Sequence, residues 1–136
     1  MTHIAPTESS AAALIARGMD SPATMLNLLK FRDIADYSHA PDLAPARPIS
    51  GAAAYGIYEA AIAPLLKASG GEVLFAGEGG AWFIGPEAER WDRVLLVRQT
   101  SIASFLAFAQ DSRAQAAGHH RTAALEDSRL LPLTAA

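Results

Sequence analysis

The chain has 136 residues, 51% of them hydrophobic, with a net charge of -3 and no cysteine. That length fits one domain with an ordinary core, and the missing thiols exclude disulfides, thiolate metal sites and cysteine nucleophiles. No run of Lys or Arg marks a nucleic-acid or anionic-membrane partner, no apolar stretch approaches the ~20 residues of a membrane span, and no secretory signal is evident, so a cytoplasmic location is expected.

Residues 1–22 read as a tail and a helix, and 23–136 as one α+β domain. Thr7 can cap the first, alanine-rich helix, and Gly18 can end it. Its apolar face is narrow, so it is expected to be an appendage. Ser21-Pro22 begins an extended segment. Thr24 to Phe31 reads as a strand with apolar residues on both faces: Met25, Leu29 and Phe31 on one, Leu26 and Leu28 on the other. Residues 32–50 carry Pro41, Pro45 and Pro48 without periodicity, the pattern of a long loop that serves as a lid, an interface arm or a disordered segment.

Ser50 caps a second helix whose Tyr55, Tyr58, Ile62 and Leu65 form a stripe, ended by Gly70-Gly71. Pro64 falls inside it and is expected to kink or restart it. Glu72 to Ala76 is a strand. Gly77, Gly79 and Gly80 interrupt it before Ala81 to Ile84 resumes, which predicts a glycine bulge or a tight hairpin. A phosphate-binding glycine loop is excluded, because Trp82 stands where the third glycine belongs and no helix follows.

Asp92 to Gln99 is a second two-sided apolar strand, followed by a helix with Ile102, Phe105, Leu106 and Ala109 on one face. Asp111 or Ser112 starts another helical segment, which Gly118 is expected to interrupt. A further helical turn covers 121–125, and Ser128 to Leu133 forms the last strand, with Pro132 placing it near an edge or an end.

The polar residues set within this apolar pattern are the candidates for chemistry. Asn27 on the first strand either satisfies backbone groups or orients a ligand. Tyr55 packs in the core with its hydroxyl at the rim, or faces a ligand. Arg98 on a strand face needs an anion, from a protein carboxylate across a dimer or from a ligand. His119 and His120 could move a proton near neutrality, with Arg121 beside them binding substrate. Alternatively, Arg121 pairs with Glu126 or Asp127 and the histidines only fix the final turn. Adjacent histidines on a helix diverge by about 100°, so no metal site is expected. The same missing parts predict a colourless protein with no flavin, haem or metal.

The order of core elements is strand, helix, strand, strand, helix, strand, the ferredoxin-like plan with an antiparallel sheet. Helices cover one face of such a sheet, and two-sided apolar strands ask for a second cover, which a second copy of the sheet would supply. The stretches MLNLLKFRD at 25–33, AYGIYEAAIAPLLKASGGEVLFAG at 54–77, WDRVLLVR at 91–98 and HHRTAALEDSRLLPL at 119–133 resemble the family catalogued as domain of unknown function 1330, in the dimeric α/β-barrel superfamily. That resemblance implies a ferredoxin-like protomer and a homodimer of sheets packed face to face, without an established reaction. The chain departs from the family where Ser112, Arg113 and Ala114 replace an expected Pro-Glu-Tyr, so no tyrosine chemistry carries over there. Two functions stay open: a cofactor-independent oxygenase or isomerase of small organic acids, with Asn27 and Arg98 orienting substrate and His119 or His120 moving a proton; or a non-catalytic ligand-binding or structural dimer module.

Overall fold

A computed structural model describes all residues from Met1 to Ala136. Four strands, β1 (Ala23–Phe31), β2 (Glu72–Ala81), β3 (Arg90–Gln99) and β4 (Leu125–Leu133), form one antiparallel sheet in the order β2-β3-β1-β4. The helices are α1 (Glu8–Ile15), α2 (Gly51–Ala68), α3 (Ile102–Gln110) and α4 (Ser112–Ala124). The architecture is the ferredoxin-like α+β fold, with α1 added at the front.

Helix starts follow the expected caps. Thr7 accepts from the Ser10 N–H in a reciprocal capping box, Ser50 accepts from the Ala53 N–H, and Ser101 accepts from the Ser104 N–H, each satisfying an amide the helix leaves free. Helix α2 ends in a Schellman arrangement, with Gly71 N–H on the Leu66 carbonyl and Gly70 N–H on that of Lys67. Gly70 adopts the positive φ of +84° that this stop requires.

The core lies between the sheet and the helices. Leu29 and Leu95 pack with Ala54 and Tyr55 of α2 and with Ala123 and Ala124 of α4. Met25 and Ala23 pack with Ile102 of α3, and Leu14 of α1 leans on this second cluster although no α1 residue is fully buried. The odd-numbered residues of β1 therefore face the helices. The even-numbered set shares the opposite face with its register partners: Leu26 lies between Leu96 and Leu131, Leu28 between Val94 and Arg129. Within one protomer nothing covers that second face, and Leu131 is 53% and Phe75 57% exposed.

Several local expectations are corrected. Strand β2 is unbroken from Glu72 to Ala81, and its register shift falls between Val73 and Phe75 rather than at the glycines. Gly77 and Gly79 serve close approach: a Cβ on Gly79 would lie 2.5 Å from the Trp91 carbonyl oxygen, and one on Gly77 would lie 2.7 Å from the Phe75 ring, whereas Gly80 faces open space with a φ of +152°. Trp82, Phe83 and Ile84 are not strand but the hairpin tip, with Phe83 and Ile84 projecting into solvent. Pro64 does not restart the helix: it lies within the single α2 span on its exposed side, where the carbonyl its missing N–H leaves unpaired is open to solvent. Gly118 does not interrupt α4, which runs from Ser112 to Ala124 and passes directly into β4 at Leu125.

The 32–50 segment is anchored at both ends of its course. Arg32 N–H donates to the Ala124 carbonyl at 2.8 Å and Asp36 N–H to that of Ala123 at 2.9 Å, while Ala35 N–H bonds Ile49. A short 3-10 turn at Pro41–Leu43 folds the rest. No helix is long and apolar enough to cross a membrane.

Candidate functional site

Two sets of side chains are candidates for chemistry. The first lines a groove of about 520 Å3 between α2 and the β2–β3 half of the sheet. Helical spacing puts Glu59, Ile62, Ala63, Leu66 and Lys67 on one face of α2. Val73, Leu95 and Val97 form the facing wall, because 73 and 97 are register partners and 95 lies two residues along the same face. Tyr55 and Glu59 mark one end, Lys67 and Gly71 the other.

Tyr55 is 3% exposed, with its ring 5.5 Å from Phe31 and 5.4 Å from Tyr58. Burial pushes its phenol well above the ordinary value, and neighbouring Tyr58 adds to this. Burial raises Tyr58 as well, with Arg121 pulling the other way. Both hydroxyls are thus protonated at neutral pH and able to donate. Glu59 accepts from Arg93 at 2.9 Å in an ion pair about one-third exposed. Two polar atoms near this region are buried without partners: Arg93 Nε and Gln99 Oε1. A Cβ on Gly71 would come within 3.3 Å of Gln99 Nε2, so the Gln99 amide lies next to the Lys67 end of the groove.

The second set lies where the 32–50 segment crosses α4. The Tyr37 hydroxyl is 2.8 Å from His120 Nδ1, and Tyr37 itself is buried. His39 Nε2 is 3.2 Å from the His119 carbonyl oxygen, with the two imidazoles 5.5 Å apart. Burial holds His120 below its ordinary value, and His119 adds to the shift.

The residues singled out from sequence are not gathered into one site. Tyr55 lines the groove. Asn27 faces the helix side from β1, and its Nδ2 donates only to the Met25 carbonyl, at 3.3 Å. Arg98 lies on the open face, paired with Glu72 at 2.5 Å and more than half exposed, so its anion comes from the neighbouring strand. His119 and His120 belong to the second set. Arg121 does not pair with Glu126 or Asp127: it donates to the Ile4 carbonyl at 2.7 Å and reaches Ser128 Oγ at 3.4 Å, tying the N-terminal segment to β4. The two carboxylates pair instead with Lys30 and Arg129. Glu59, Lys67 and Arg93 went unremarked in the sequence, although two opposite charges bracketing the apolar run 60–66 are a readable signal.

A second cleft, of about 470 Å3, lies between the start of α2 and the hairpin, but it is lined mainly by polar and charged groups. One of them, Asp92, is already used by Arg90 and the Phe31 N–H. Ligand pockets are predominantly apolar with a few placed polar groups, which makes the α2 groove the candidate.

Fold and groove together define a ferredoxin-like α+β protein with a concave apolar site on its helical side. The chain is similar over its whole length to the RPA0582 protein of unknown function from Rhodopseudomonas palustris, at 34% identity, covering 98% of that chain with a TM-score of 0.88. The methylated form of that protein gives 35% identity, 99% and 96% coverage of the two chains, and the same TM-score. The chain belongs to the family of this Rhodopseudomonas protein. A dimeric protein of unknown function with a ferredoxin-like fold from Bacteroides fragilis NCTC 9343 matches 84% of this chain and 96% of its own at 14% identity and a TM-score of 0.51, a likeness of fold alone. No protein-family model and no curated protein matches the chain, so the narrower resemblance to domain of unknown function 1330 gains no support from a family model.

Proposed function

We propose that the protein is a homodimeric small-molecule-binding module that carries a small, largely apolar ligand in the α2 groove. The observation that carries this reading is the groove itself: an apolar channel of about 520 Å3, within the usual range of ligand sites. Dimerisation is supported by the uncovered sheet face. Leu26, Leu28, Val94, Leu96 and Leu131 share it, and a contiguous apolar face of this kind calls for a partner. The fold-level relative described as dimeric is consistent with it.

Catalysis by a cofactor-independent oxygenase or isomerase of small organic acids would need a proton-transfer group against the ligand. His119 and His120 are the histidines suited to that role, and neither lines the groove. The titratable side chains that do are Tyr55, Glu59 and Lys67, of which Glu59 is engaged by Arg93, so binding is the favoured reading, and turnover of a bound ligand would have to use Tyr55 or Lys67. A thermal-shift screen of carboxylic acids, alcohols and aromatics against the native protein and Ala63→Trp tests the reading. Ala63 is exposed on the groove wall, so the indole fills the channel without disturbing the core. Hits should raise the melting temperature of the native protein only. Hits that stabilise both forms equally place the ligand elsewhere.

A further inference from the structure

We propose that the groove takes a medium-length monocarboxylic acid, its apolar chain laid along α2 and its carboxylate on the Lys67 ammonium. This deepens the reading of the groove as the ligand site and rests on it. The groove has two charged side chains, Glu59 and Lys67. Arg93 already pairs with Glu59, whereas no carboxylate of the chain pairs with Lys67. The one uncompensated charge facing the channel is thus positive and sits at one end. It also lies in the last turn of α2, where the helix dipole stabilises a cation.

Between Lys67 and Glu59 the lining is apolar: Ile62, Ala63 and Leu66 on the helix, Val73, Leu95 and Val97 on the sheet. The two charges are eight residues apart on α2, about 12 Å at the helical rise. A linear chain such as that of octanoate fits within this span with its head at Lys67. A dicarboxylic acid does not, because its second carboxylate would approach Glu59 and desolvate without a cation free to receive it. A short acid such as acetate leaves the apolar walls wet and gains little.

Isothermal titration calorimetry of the native protein with octanoate and with 1-octanol, at low and at physiological ionic strength, tests this. Both probes should bind, octanoate more tightly. Lys67→Gln should weaken octanoate about twofold to fivefold, the scale of an exposed charge pair, and leave octanol unchanged. The advantage of the acid should shrink as salt is added. Ala63→Trp should abolish both. Equal affinities that Lys67→Gln does not alter would overturn the carboxylate assignment while leaving the groove as a binding site. If neither probe binds, or if octanoate binding survives Ala63→Trp, the groove itself is not the site and both readings fall.

Discussion

Three chain segments meet at Gly51 with no room for a side chain, which gives a clean steric test of the fold. A Cβ at this position would overlap the Arg32 carbonyl oxygen and lie 2.6 Å from that of Ala124. Both oxygens are already engaged: Gly51 N–H donates to the Arg32 carbonyl at 3.0 Å, and Arg32 N–H donates to that of Ala124 at 2.8 Å. The first turn of α2, the exit of β1 and the α4–β4 junction are therefore locked by backbone groups, which cannot rotate aside as a long side chain can. The φ of Gly51 is not positive, so Gly51→Ala carries no conformational penalty and tests contact alone. Overpacking costs about 1–3 kcal/mol and more where backbone must move; with two backbone oxygens this close the upper end, about 3 kcal/mol, is expected. For a chain of this size that corresponds to a fall of roughly 10 °C in melting temperature. Gly56→Ala is the matched control. It lies on the exposed side of the same helix with nothing within 4 Å of its Cβ, so relief of the glycine penalty should raise stability by up to about 1 kcal/mol. Thermal denaturation followed by circular dichroism measures both. A Gly51→Ala protein as stable as the native one, or less affected than Gly56→Ala, would refute the three-way junction.

If the open face is a dimer interface, the native protein should scatter light as a dimer and Leu96→Asp should leave a folded protomer of 14.3 kDa, because Leu96 lies on that face and an unpaired carboxylate buried there costs several kcal/mol; Glu8→Ala, on the exposed first turn of α1, should change neither mass nor melting temperature beyond about 0.5 kcal/mol. A Leu96→Asp protein that stays dimeric at micromolar concentration would move the interface elsewhere. Because His120 is held below its ordinary value of 6.5 by burial and by His119, the unfolded chain binds that proton more readily than the folded one. Its contribution to stability is present above pH 6.5 and is lost as pH falls through the lower folded value. The melting temperature should drop on acidification from about pH 7 to 5, and His120→Gln should flatten that slope; equal slopes would show that the Tyr37–His120 contact does not report on folding. The purified protein should show no Soret or flavin absorption, since a visible band surviving dialysis would contradict the cofactor-free expectation.

Apolar runs bounded by turn residues located all four strands, although the bounds of β2 and β4 were misjudged, and the absence of alternation on β1 and β3 was the informative part. Two-sided apolar strands in a sheet with helices on one face correctly imply a face left for something else to cover. Glycines misled the reading, because composition cannot distinguish a glycine that breaks an element from one that lets two elements touch. Gly79 is of the second kind, set against the Trp91 carbonyl. Gly118 is neither: nothing lies within 4 Å of its Cβ position, and α4 passes through it because Ala114, Ala123 and Ala124 hold that helix by burial. A propensity loss of about 1 kcal/mol is smaller than the packing gained along the helix.

The candidate site was harder to read for a different reason. Residues adjacent in sequence, such as His119, His120 and Arg121, suggest a cluster, yet the partners that decide their roles come from distant parts of the chain: Tyr37 and His39 for the histidines, Ile4 for the arginine. Local pattern carries no information about such partners. The groove, by contrast, is built almost wholly from one helix face and two strand faces, so its polar ends were present in the sequence as Glu59 and Lys67. What could not be read locally is that Arg93 would neutralise the first and leave the second free. That asymmetry depends on which strand residue faces which helical turn. It is also what gives the channel a direction, since an apolar groove with both charges paired would accept a neutral chain either way round, whereas a single free ammonium at one end selects an anionic head and orients the rest of the molecule toward Tyr55.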